Sequence, residues 1–127
     1  MDIKKEYAEN LAKPKNETIY LNKRLFDTYN SIVDFKLNTK LFGTNIDLGS
    51  GDKGFSEVCR INNIISYSYD YPEFDIEKDK LISHADKSID FVTMNAVIEH
   101  IKDSTNILLE IKRVLKEDGF LFIRTPN

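Results

Sequence analysis

The sequence predicts an α/β protein built on an open, mostly parallel sheet. Two observations carry that expectation. Short β-prone runs alternate with amphipathic helical stripes, so successive strands return parallel through crossover helices. The densest glycine cluster, Gly49-Ser50-Gly51-Asp52-Lys53-Gly54, falls between one such strand and a helix. Sheets of this class hold their ligands there, just beyond the carboxyl ends of the strands. The 127 residues are enough to bury one core and too few for two domains.

The elements follow in chain order. Residues 1–16 are polar, contain Pro14 and show no clean periodicity, which reads as an arm. From Glu17 to about Leu37 the apolar residues Leu21, Leu25, Phe26, Tyr29, Ile32 and Val33 recur on one helical stripe. Residues 1–42 therefore form an arm and an amphipathic helix expected to dock beside the sheet, and residues 43–127 form the core. A strand over Asn45-Ile46-Asp47-Leu48 runs into the glycine turn, and a helix follows over Phe55 to Ile61. Ile64, Ile65, Tyr67 and Tyr69 make a second strand ending at Asp70, with a short further segment at Phe74-Asp75-Ile76 after the turn at Pro72. The charged loop from Glu77 to Ser88 is expected to leave His84 in solvent. Ile89 to Met94 reads as a buried strand. Asp103 caps a helix with Ile107, Leu108, Ile111, Val114 and Leu115 on its apolar face, Gly119 suits its C-terminal cap, and Phe120 to Ile123 is the last strand.

Composition narrows the function classes. With 41% hydrophobic residues, 31% charged residues and a net charge of −3, the chain is neither disordered nor membrane-spanning in character. The balance of charge leaves no basic footprint for nucleic acid, so a small-molecule partner is the default. The lone Cys59 excludes an internal disulfide and a cysteine-rich metal site, and no His/Cys/carboxylate spacing suggests a metal. The polar N-terminus opens no signal segment, which points to the cytoplasm.

The three glycines alone would suit several nucleotide-like ligands, including a dinucleotide with Asp70 on its ribose. Asp47, two positions before Gly49, argues otherwise. A carboxylate there repels a pyrophosphate and welcomes a cationic ligand. At Ile46 to Gly54 the sequence resembles the first motif of class I S-adenosylmethionine-dependent methyltransferases. Ile89-Asp90-Phe91-Val92-Thr93-Met94-Asn95-Ala96-Val97-Ile98-Glu99-His100 is similar to the fourth-strand signature of the type 11 and type 12 families. The run Val114 to Leu121 resembles their lead into strand five.

That resemblance implies a Rossmann-like core, S-adenosylmethionine as cofactor and methyl transfer to a small-molecule or glycan-type acceptor. It implies that Asp47 faces the ligand's amino group while Gly49, Ser50 and Gly51 let the backbone approach its methionine part. Asp70 would accept the ribose hydroxyls, Asp75 the adenine amino group, and Ile76 would pack on the ring. Asn95 and Ala96 would border the sulfonium, and His100 is the candidate catalytic residue, set against a role in merely shaping the site.

Two departures from the family stand out. The interval between Asp70 and Phe74 leaves out the helix that usually links strands two and three, with Phe74-Asp75-Ile76 in the place of strand three, so the adenine side should be shallower. The chain also stops after strand five, which leaves residues 119–125 as an apolar edge expected to pair with a second copy or a partner, unless the chain is a fragment. A non-catalytic module binding S-adenosylmethionine or S-adenosylhomocysteine, or a subunit needing a partner, is the alternative from another class. An NAD-dependent oxidoreductase fits Asp47 poorly.

Overall fold

A computed structural model describes residues 43–49, 51, 54–95 and 97–125. The arm and amphipathic helix expected over residues 1–42 lie outside the described residues. Among the described residues the sheet has four strands, β1 (Thr44–Leu48), β2 (Ile65–Tyr69), β3 (Ile89–Asn95) and β4 (Leu115–Arg124), in the order β2-β1-β3-β4 and parallel throughout. The helices among the described residues are α1 (Gly54–Ile61) and α2 (Thr105–Val114), with a 3₁₀ turn over Ile98–His100. The chain leaves β1 through α1 to β2 on one side, then crosses to β3 on the other. That reversal opens a crevice at the carboxyl ends of β1 and β3.

Strand parity sorts the core into two layers. Ile46 and Leu48 of β1 and Val92 and Met94 of β3 point to one face, where Ile107, Ile111 and Val114 of α2 cover them together with Phe74 and Leu81. On the opposite face Phe55, Val58 and Cys59 of α1, spaced as one helical stripe, pack on Phe91 with Phe120 and Phe122 alongside. Each such side chain removed from water stabilises the fold by about 1.5–3 kcal/mol. Cys59 is fully buried, as its place on α1 suggests, and burial pushes its thiol up to about 12. α1 ends where Asn63 takes a left-handed conformation (φ 62°) and the Ile64 amide donates to the Cys59 carbonyl at 2.9 Å.

Four expectations are corrected. Phe74-Asp75-Ile76 is not a strand. Its backbone is satisfied by turns instead, with the Phe74 amide on the Asp70 carbonyl at 3.0 Å and the Asp79 amide on the Asp75 carbonyl at 2.8 Å. Burial of Phe74 against the core holds those turns down. His84 is not in solvent but 9% exposed, because the loop folds over the sheet and wedges the ring against Tyr67 and Tyr69. Gly119 does not cap α2, which ends at Val114 and passes directly into β4. Leu115 pairs with Ile89 and Phe120 with Phe91, so the residues between bulge outward. A Cβ on Gly119 would stand 3.0 Å from the Asp90 carbonyl oxygen, so glycine there serves close strand approach. The N-cap of α2 is Ser104, which makes no side-chain cap bond; Asp103, one residue earlier, accepts the Thr105 amide with its Oδ1 at 2.9 Å.

Candidate functional site

The glycine turn leaves β1 at Leu48 and is shaped by two different demands. Gly49 has φ +71°, and a Cβ on it would lie 2.3 Å from Val97 Cγ2, so both conformation and space require glycine. Its amide donates to the Tyr69 carbonyl at 2.8 Å, tying the turn to the end of β2. Gly51 has φ +58° with open space where a Cβ would be. Its amide donates to Asp70 Oδ2 at 3.0 Å, while Asp70 Oδ1 accepts the Tyr71 amide at 2.9 Å. Each of those oxygens keeps a further lone pair for a ligand.

Beyond the turn lies a cleft of about 290 Å³ lined by Gly49, Asp70, Tyr71, Phe74, Asp75, Ile76, Glu77, Val97, His100 and Ile101. Five sequence-predicted site residues, Gly49, Asp70, Asp75, Ile76 and His100, thus meet in one place. Three carboxylates face it, and no lysine or arginine is among its described lining residues. Asp75 also organises its own turn, its Oδ1 accepting the Glu77 amide at 2.9 Å. Ile76 is half-buried against the core. His100 closes the 3₁₀ turn at the rim with its side chain 79% exposed and Nε2 3.6 Å from Glu99 Oε1. Glu99 Oε2 in turn accepts the Thr125 hydroxyl at 2.8 Å, joining the loop after β3 to the end of β4.

The other sequence-predicted residues lie elsewhere. Asp47 does not line the cleft. It points to the α1 face, is 3% exposed, and accepts the Thr93 hydroxyl at 2.8 Å. Burial, aided by the charge of Asp70 and opposed by the Thr93 bond, pushes its carboxyl up to about 7. Around it runs a buried polar chain. Asn45 Nδ2 donates to Thr93 Oγ1 at 3.3 Å, Asn45 Oδ1 accepts the Ser66 hydroxyl at 2.7 Å, and Ser56 bonds both Ser66 and Ser68. Asn95 ends β3 half-buried, opposite Arg124. Gly51 is exposed beside Asp70, and Ser50 and Ala96 lie outside the described residues. Sequence reasoning missed Tyr71, Phe74, Glu77, Val97 and Ile101. Of these Tyr71, two residues past β2, and Val97, two residues past β3, sit where the topology directs attention. Among the described residues no cluster of His, Cys, Asp and Glu is arranged for a metal, and no helix is long and apolar enough to cross a membrane.

A parallel sheet with a glycine turn, an acid at the end of β2 and a cleft at the strand ends defines a Rossmann-like domain. A methyltransferase-domain family model matches residues 18–127, and the chain belongs to that family. Among curated proteins, none matches the sequence. Three solved structures share the fold. A protein described as a methyltransferase from an antibiotic biosynthesis pathway of Anabaena variabilis aligns with TM-score 0.59 and 21% identity over 77% of this chain. One described as an S-adenosyl-L-methionine-dependent methyltransferase of Methanococcus maripaludis gives 0.52 and 18% over 87%. DszA carbon methyltransferase gives 0.53 and 16% over 91%. The chain spans 45%, 65% and 38% of those three proteins, respectively.

Proposed function

We propose that this domain binds S-adenosylmethionine in the cleft at the ends of β1, β2 and β3 and serves methyl transfer to a small-molecule acceptor. One observation carries the reading: Asp70, held by the Gly51 and Tyr71 amides, presents its carboxylate to a cleft whose charged walls are acidic. A ligand with an ammonium, a sulfonium and two adjacent hydroxyls suits that wall, whereas a pyrophosphate would meet three carboxylates and no lysine or arginine among the described lining residues.

The roles divide by chemistry. Asp70 accepts the ribose hydroxyls. Asp75 and Ile76 take the adenine amino group and ring, with Phe74 as apolar floor. Gly49, Ser50 and Gly51 bring bare backbone to the methionine part, and Asp47, above the pH of about 7 at which it loses its proton, contributes negative charge from beneath the turn. Asn95 and Ala96 border the sulfonium. S-adenosylmethionine supplies the methyl carbon, made electrophilic by its positive sulfur, for in-line displacement. The chain's own work is to align the reactants and exclude water, with Val97 and Ile101 as the apolar wall. His100 on the rim is placed to take the proton of a protic acceptor. The small-molecule or glycan class of acceptor, a cytoplasmic location, and pairing of a second copy or partner along residues 119–125, at the end of β4, complete the reading.

Titration calorimetry with S-adenosylmethionine and with NAD tests the cofactor. Binding of the first and not the second is expected, and the reverse overturns the reading. An acceptor panel then separates an enzyme from a module that binds the cofactor without turnover.

A further inference from the structure

We propose that His84 is a positioning residue for the cofactor site, acting through Tyr69 to hold the glycine turn and the floor of the cleft in place. Its ligand-binding consequence rests on the cofactor reading above; its structural consequence does not. Tyr69, the last residue of β2, is the junction. Its hydroxyl lies 2.6 Å from His84 Nε2, and its ring tilts against Phe74 with centroids 5.0 Å apart. Its carbonyl accepts the Gly49 amide at 2.8 Å, and the next residue is Asp70. A shift of Tyr69 therefore moves the turn, the ribose-side acid and the cleft floor together.

His84 is itself fixed from several sides. Its amide donates to the Leu81 carbonyl at 3.1 Å, and its carbonyl accepts Arg113 Nη1 at 2.9 Å. The ring meets the edges of Tyr67 and Tyr69. Arg113 is anchored in turn by Glu110 at 3.1 Å and Asp86 at 2.8 Å, so a continuous linkage runs from α2 to the glycine turn. Tyr67 and Tyr69 face the imidazole from β2, Arg113 with Glu110 from α2, and Asp86 from its own loop. Burial and the Arg113 guanidinium hold the imidazole below its usual range. Neutral His84 fits this slot. A proton on it sets a second cation beside Arg113, which weakens the hold on Tyr69 as pH falls.

Hydrogen exchange of the full chain without ligand tests the linkage. His84→Ala and Tyr69→Phe should each speed exchange of the Gly49 amide about tenfold while the amides of β3 keep their protection. His84→Gln, whose side chain can accept the Tyr69 hydroxyl without titrating, should restore slow exchange. Affinity for S-adenosylmethionine should fall more steeply, by a severalfold difference, in the wild type than in His84→Gln as pH is lowered from about 7.5 to about 5. Asp47 titrates in both proteins, so the difference isolates His84. Unchanged Gly49 exchange, equal acceleration in β3, or superimposable pH profiles would each overturn the proposal. Absence of S-adenosylmethionine binding at every pH defeats the cofactor reading, and Gly49 exchange still decides the role of His84.

Discussion

The Asp70 carboxylate closes the glycine turn from the neighbouring strand, accepting the Gly51 amide at 3.0 Å across a separation of 19 residues. The bond joins β2 to the turn after β1, so one side chain both shapes the loop and faces the cleft. Ligand affinity and loop order are therefore coupled at Asp70.

Asp70→Ala should weaken S-adenosylmethionine binding by about 1.5–3 kcal/mol, the scale of a hydrogen bond to a charged group. Calorimetry on the folded variant reads the loss. Wild-type affinity in Asp70→Ala would remove Asp70 from the site.

Gly49→Ala and Gly51→Ala should differ, although both glycines adopt positive φ. At Gly49 the new methyl meets Val97 at 2.3 Å on top of the backbone strain, whereas at Gly51 it meets nothing within 4 Å. Denaturant unfolding should show a cost of about 1 kcal/mol at Gly51 and about 2–4 kcal/mol at Gly49. Equal costs would mean that Val97 yields without penalty.

Asp47 makes stability pH-dependent in a defined direction. Its carboxyl is raised from 3.8 to about 7, so the folded state prefers the proton. That contribution is full below pH 3.8 and is lost as pH rises through about 7. Asp47→Asn, which can still accept the Thr93 hydroxyl, should therefore stabilise the ligand-free protein at about pH 8 by roughly 2–4 kcal/mol and have little effect near pH 4. The same change should weaken binding of the cationic cofactor. A variant less stable than wild type at both pH values would contradict the burial argument.

Glu110 holds the loop before β3 to α2. Its Oε1 accepts the Leu81 amide at 2.8 Å, and its Oε2 pairs with Arg113 at 3.1 Å. Glu110→Ala leaves both donors unsatisfied at a buried position and should cost about 2–4 kcal/mol in a thermal or denaturant melt. A change under about 0.5 kcal/mol would show that water replaces the carboxylate.

The elements with periodic apolar patterns were legible in the sequence. β1, the glycine turn, α1 and β3 fall where alternation and glycine spacing place them, and Asp70 is recognisable because it ends an apolar strand. Residues 71–88 were not legible, because their order comes from tertiary contacts. Phe74 and Leu81 are buried one at a time, and polar backbone is satisfied by turns and by Glu110 rather than by a ladder. His84 looked exposed because it lies in a charged loop, yet its neighbours in space are tyrosines. Gly119 carries the residue type of a helix cap but serves the bulge in β4. For Asp47, strand parity could have revealed its direction: Asn45 and Asp47 alternate with Ile46 and Leu48 and so share the α1 face, where Thr93 waits at the paired position.

Amide chemical-shift mapping during titration with S-adenosylmethionine tests whether the cleft is the cofactor site. Saturable shifts confined to Gly49, Gly51, Tyr71, Ile76, Val97 and Ile101, with β4 and the outer face of α1 unmoved, are the expected result. Saturable shifts centred on any other surface, or no shifts at millimolar ligand, would contradict it.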